Sequence, residues 1–130
     1  MNNSGIMLTN TNYKYTTIYN VPKYYVWVGY HPLTPYWAKA SQYVISTGSS
    51  YTISGSYTYK NYLFSITVNN NVSLAIYLPA DASKYSKIGV YADVKLIRTK
   101  VDVYDYDVYM STYYVNSTYV SNYYIETVYK

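Results

Sequence analysis

The feature that most constrains this chain is the strict alternation between Tyr51 and Leu78. Tyr51, Ile53, Tyr57 and Tyr59 alternate with Thr52, Ser54, Ser56 and Thr58, a period of two that matches a strand and not a helix. Lys60 and Asn61 then lead to Tyr62, Phe64, Ile66 and Val68, and Asn69, Asn70 and Asn71 lead on to Val72, Leu74, Ile76 and Leu78. Asn tolerates the left-handed backbone that tight turns need. A two-residue loop pairs Tyr59 with Tyr62, Tyr57 with Phe64 and Ile53 with Val68, all on one face. The second connection is expected to pair Val68 with Val72, Ile66 with Leu74, Phe64 with Ile76 and Tyr62 with Leu78, completing a meander with one apolar side.

Weaker alternation marks strands over residues 13–19, 24–30, 36–45, 87–97, 101–109, 112–120 and 123–129. Ile88, Val90, Ala92, Val94 and Leu96 share one face, and Lys87, Asp93 and Lys95 share the other. The phase changes near Ile97 and again near Val103 and Tyr104, which predicts a bulge or a strand crossing between sheets. Pro22, Pro32, Pro35 and Pro79 fall in or beside expected loops, and only residues 80–84 offer a helical turn. About ten short strands with regularly spaced turns predict an all-β fold, a two-sheet β-sandwich with Greek-key or jelly-roll wiring, a closed barrel being the alternative. A length of 130 residues suits one domain. It is expected over residues 13–130, preceded by an extended N-terminal arm, residues 1–12.

Composition bears on function. Only 12% of the residues are charged, against roughly 25% in ordinary soluble domains, while Tyr supplies 24 positions. Leu and Phe are scarce, so Tyr must provide much of the apolar area, yet each buried hydroxyl needs a partner. Many rings are therefore expected at the surface, where a rigid aromatic side chain favours contact with partners. An AT-rich genome would also enrich Tyr, Asn, Lys and Ile, and would leave the rings just as exposed.

The formal charge is +4, but the lysines are dispersed and Arg98 is the only Arg, which speaks against nucleic-acid binding. The absence of Cys excludes a disulfide scaffold and a thiolate metal site. No apolar run approaches the roughly 18 residues of a membrane span, and residues 1–12 show no signal peptide. The expectation is therefore either a leader already removed or export by another route, such as inside a virus particle.

No catalytic or metal-binding constellation is visible, and no cofactor is expected. The only His, His31, sits in His31-Pro32-Leu33-Thr34-Pro35 and reads as a solvated or capping loop residue rather than a base. Asp105 and Asp107 would share a strand face, which fits a solvated edge that resists aggregation better than an acid–base pair. Asp102 would face the other way, and no glycine-bearing calcium loop accompanies the three. Trp27 and Trp37, with Tyr30 and Tyr36, offer an aromatic platform on which a sugar ring would stack, although Trp27 between Val26 and Val28 also fits a core strand. Asn2, Asn71 and Asn116 open glycosylation sequons, with Asn71 expected at a hairpin tip. The apolar patch Ile6-Met7-Leu8 is expected to anchor the arm on a neighbouring subunit by strand addition, the alternative being an edge strand on its own domain.

In its Tyr, Asn, Ser, Thr and Val content, its lack of Cys and its strand-rich pattern, the chain resembles surface and virion structural proteins of thermophilic archaea. Ile76-Tyr77-Leu78-Pro79-Ala80 followed by Val90-Tyr91-Ala92-Asp93-Val94-Lys95 is similar in style to the β-rich ends of secreted proteins from Gram-positive bacteria. Neither resemblance carries a functional residue. The leading expectation is a non-enzymatic structural subunit of an extracellular assembly, either a virion coat or decoration protein or a surface filament subunit, forming a homo-oligomer or polymer. The second is a carbohydrate-binding, adhesive module with glycans as partners. The third is a β-hairpin pore-forming protein, in which the 51–78 alternation inserts into a membrane.

Overall fold

The computed structural model describes residues 10–130, and no helix occurs among them. Eight strands follow in order: β1 (Thr11–Tyr30), β2 (Ala38–Lys39), β3 (Gln42–Ile45), β4 (Ser50–Tyr59), β5 (Tyr62–Asn71), β6 (Ile76–Pro79), β7 (Tyr85–Asp105) and β8 (Val108–Tyr129). They form three antiparallel sheets: β7 between β1 and β8 with β2 at one end, the β3–β6 pair, and the β4–β5 hairpin. The fold is all-β, as expected.

The β4–β5 register agrees with the sequence arithmetic, with Tyr59 opposite Tyr62, Tyr57 opposite Phe64 and Ile53 opposite Val68. Lys60 and Asn61 form the loop at φ of 50° and 67°, the left-handed pair that matches the twist of flanking strands. The second expected hairpin does not form. Strand β5 runs on through Asn69, Asn70 and Asn71, which pair with Thr52, Tyr51 and Ser50, and β6 pairs with β3 instead. Local Asn turn propensity is overridden here because Asn70 is buried and bonded from its side chain to His31.

The strands are also fewer and longer than expected. Segments 13–19 and 24–30 merge into the 20 residues of β1, 87–97 and most of 101–109 into the 21 of β7, and 112–120 and 123–129 into the 22 of β8. Such strands run roughly 70 Å. Pro22 does not break β1, because β1 is an edge strand and can spare a donor. By contrast, the 36–45 segment splits into the short strands β2 and β3.

Tyr106 and Asp107, expected inside a strand, are instead the β7–β8 turn at φ of 49° and 64°. Asp105 and Asp107 therefore do not share a strand face. An L side chain in this conformation is costly, and glycine relieves that cost. Asp107→Gly is expected to stabilise the protein by about 1 kcal/mol and to raise its melting temperature by about 3 °C in thermal denaturation.

Packing concentrates at one end of the long sheet. Ile53, Phe64, Ile66 and Val68 of the hairpin interlock with Val28, Val90, Ala92, Val94 and Leu96 of the sheet, all nearly or fully buried. A smaller cluster joins Ile45, Val72 and Ile88. Beyond Leu96 the apolar side of the sheet changes face. Strand β7 continues without a bulge of its own, so Val101 and Val103 point to the side opposite Val94 and Leu96. The phase change near Ile97 is thus a switch of face within one strand, while the register shifts beside it fall on the neighbours, in β1 between Thr17 and Tyr19 and in β8 between Ser111 and Tyr109.

Candidate functional site

Two surfaces emerge, an aromatic face over the core and a ribbon beyond it. The aromatic face lies on the side of the sheet away from the β4–β5 hairpin. It is organised by Asp93, where both neighbouring strands bulge. On β1, Lys23 pairs with Val94 and Val26 with Ala92, so Tyr24 and Tyr25 together oppose Asp93; on β8, Ser121 is the extra residue. Tyr25 adopts φ 51°, an uncommon conformation for a bulky side chain. Its backbone N–H donates to Asp93 Oδ1 at 2.8 Å, the Tyr124 hydroxyl donates to Asp93 Oδ2 at 2.6 Å, and Ser121 Oγ donates to the Asp93 carbonyl at 3.1 Å.

This bulge sets Tyr25 flat against Tyr91, with centroids 4.2 Å apart and planes within 1°, and beside Tyr124 at 5.4 Å. Trp27 meets Tyr91 at 71° and Tyr30 at 73°, and Tyr30 meets Trp37 at 76°. Gly89 is the floor beneath Trp27, since a Cβ there would lie 2.7 Å from the indole ring. Lys87 Nζ stands over Tyr30 at 4.5 Å and Trp37 at 5.0 Å. Of the four expected platform residues, Trp27, Tyr30 and Trp37 come together, and Tyr36 stands outside the chain of rings at 81% exposure. The rings pack edge to face, the arrangement favoured by their quadrupoles, so they share no common plane. A sugar would meet one ring face at a time.

The Tyr25 hydroxyl donates to Glu126. That bond holds the neutral phenol and pushes its pKa up to about 12, with burial and the nearby carboxylate charge adding to the effect. The bond to Asp93 raises Tyr124 in the same direction. Glu126→Gln is expected to return Tyr25 toward the ordinary value of about 10, read as the alkaline titration of its ring carbons in a tyrosine-labelled NMR spectrum. Asp93, Tyr91, Tyr124 and Glu126 were not legible as a site. Each looks like an ordinary strand residue until strand pairing brings positions 25, 91 and 124 side by side.

The ribbon consists of residues 11–17, 99–105 and 108–115, which lie past both core clusters. Its root is clamped by Arg98, stacked over Tyr62 at 3.7 Å and Tyr114 at 4.5 Å and donating to Asn116 Oδ1 at 2.7 Å. One face carries Tyr13 and Tyr15 opposite Val103 and Val101, with Tyr113 and Val115 on the far strand. The other face is polar: Thr112 Oγ1 donates to the buried Asp102, Lys100 lies 3.9 Å from that carboxylate, and Tyr109 shares a hydrogen bond with Thr112. Tyr13, Tyr15, Tyr106, Tyr109, Tyr113 and Tyr114 are each 46% exposed or more.

Other expected positions resolve as follows. His31 is not a solvated loop residue: it is 1% exposed, donates from Nε2 to Asn70 Oδ1 at 3.1 Å, and accepts at Nδ1 from the Leu33 N–H. Asn71 is exposed at the end of β5, not at a hairpin tip, and accepts from Ser50 Oγ. It borders a shallow depression of about 300 Å³ lined by Gly48, Ser49, Ser50, Val72 and Ser73. Asn116 uses its Nδ2 on the Leu63 carbonyl at 3.3 Å, so a glycan there would displace a bond between sheets. Asn2, Ile6, Met7 and Leu8 lie outside the described residues, and β1 already begins at Thr11, inside the segment expected as an arm. The apolar residues of β4 and β5 that motivated the pore reading face the core. Among the described residues no three His, Asp or Glu side chains come together in a metal-binding group, and no helix is long and apolar enough to cross a membrane.

These features define a strand-rich protein with exposed aromatic clusters. Compared with known protein families, curated proteins and solved structures, the chain matches none.

Proposed function

We propose that this chain is a non-enzymatic structural subunit of an extracellular assembly, a virion coat or decoration protein or a surface filament subunit. It would be a homo-oligomer or polymer built on a β-sandwich body. The observation that carries this reading is the ribbon: three strands and their turn that continue past the core and hold six exposed Tyr residues over two faces, none of them in a core cluster. Val101 and Val103 on its central strand are buried, but the Tyr rings around them are not, and contact with a partner would bury those rings and help offset the backbone entropy of ordering the segment. The cations support the reading too. Seven of the ten Lys and Arg side chains lie over Tyr or Trp rings rather than together in a stripe, which suits contact between proteins more than phosphate tracking. Light scattering at micromolar concentration and electron microscopy of native material test it. A multimer with a regular repeat is the expected result, and a strict monomer overturns it.

A second reading has its own observation. Trp27 and Tyr30 are 40% and 45% exposed at one end of the aromatic face, as ring-by-ring stacking of a glycan requires. Glycan-array binding by a monomer, lost on Trp27→Ala, would favour that module over the assembly.

A further inference from the structure

Strands β1 and β8 are both edges of the long sheet, each paired only with β7 among the described residues. The two edges are built differently. Strand β1 carries the devices that discourage pairing, with Lys14, Pro22, Lys23 and three register shifts. Strand β8 bulges at Met110 and Ser121, but from Val108 to Tyr129 it has no Pro, Gly, Lys or Arg, Glu126 is its single charge, and residues 111–115 carry none of these devices. An undefended strand edge exposes backbone donors and acceptors as a template for another strand.

We propose that the 111–115 part of β8 pairs antiparallel with the same segment of a second copy about a two-fold axis, joining two ribbons into one six-stranded sheet. The inference rests on the assembly reading and names its contact. Charge selects a second copy at this place. Two lysines, Lys14 and Lys100, stand against three aspartates, Asp102, Asp105 and Asp107, so the ribbon and its turn hold −1 of the formal +4 and the remainder holds +5. Antiparallel pairing through the ribbons puts the two positive bodies at opposite ends, whereas pairing through β1 would bring Lys14 and Lys23 of both copies onto one seam. Like charges across a strand pair are unfavourable. A two-fold axis normal to the sheet also keeps the faces in register. Centred on Tyr113, it sets Ser111 opposite the partner's Val115 and Thr112 opposite the partner's Tyr114, continuing the apolar face across the seam. The β4–β5 hairpin packs on the other end of the sheet, and its tip bonds β8 at Asn116, just past this segment.

The chain has no Cys, so single-cysteine crosslinking reports one position at a time. Tyr113→Cys with a short bis-maleimide should trap dimers at micromolar concentration, and Tyr15→Cys on β1 should not. Tyr113→Lys together with Val115→Lys, both at exposed positions, should weaken dimerisation by about tenfold or more with the monomer's thermal unfolding unchanged. If the wild type assembles while Tyr113→Cys stays uncrosslinked, or while the double Lys variant assembles normally, the β8 contact is overturned and self-association stands. A wild type that is monomeric at every concentration overturns both.

Discussion

Gly55→Ala is expected to lower the melting temperature by roughly 10 °C or more, a loss of about 3 kcal/mol, measured by circular dichroism. The reason is the crossing of β1 and β4. A Cβ on Gly55 would collide with the carbonyl oxygen of Val28, with the carbonyl carbon at 2.9 Å and Cα at 3.1 Å. Those atoms are backbone of a strand held against β7, so no rotamer change relieves the clash, and the whole hairpin must lift off the sheet. That lift would open the cluster of Val28, Ile53, Phe64 and Val90. Gly29→Ala is the control. Its Cβ would meet its nearest neighbours, the Ser54 carbonyl oxygen and an Ile53 methyl, at 3.4 and 3.5 Å, a contact close to ordinary, and a small effect is expected. A Gly55→Ala melting temperature within about 2 °C of wild type would disprove the close crossing.

The second large effect belongs to His31. Its ring bonds Asn70 and the Leu33 N–H, Asn70 reaches on to the Tyr123 hydroxyl, and the ring edge meets Tyr51 at 4.5 Å. The bond accepted at Nδ1 requires the neutral tautomer with its proton on Nε2. Around the ring, the His31 N–H donates to the Ile88 carbonyl and the Ile88 N–H donates to Thr34 Oγ1, so the loop is pinned to β7. His31→Ala leaves a cavity and an unpaired buried Asn70, and about 3 kcal/mol of stability should be lost.

The same histidine makes the fold acid-sensitive. Burial holds its pKa below the ordinary 6.5, opposed in part by the bond to Asn70. The unfolded chain therefore takes up the proton at a higher pH than the folded one. Stability is full above about pH 6.5 and falls as the pH drops from there toward the folded pKa. Urea midpoints between about pH 7 and pH 5, above the carboxylate range, should decline in the wild type and stay flat in His31→Leu. An equal slope in both would assign the acid sensitivity elsewhere.

What the sequence determined by itself was local. The alternation of residues 51–68 and the Lys60–Asn61 loop specify strand, register and core face together, because a two-residue turn leaves one pairing that keeps Ile53, Phe64, Ile66 and Val68 on one side. The alternation of Ile88 to Leu96 likewise identified the core face of β7. Tertiary structure decided the rest through pairings distant in sequence. Asn70 belongs to a strand and not a turn because His31, 39 residues away, takes its side chain. Asp107 turns the chain without a glycine or asparagine to announce it, since two long neighbouring strands fix the crossing point. The aromatic face exists only because Asp93 meets a bulge on each side and gathers Tyr25 and Tyr124 from strands about 100 residues apart in sequence. The ribbon arises where the apolar side of β7 changes face, turning Val101 and Val103 to the side opposite the β4–β5 hairpin.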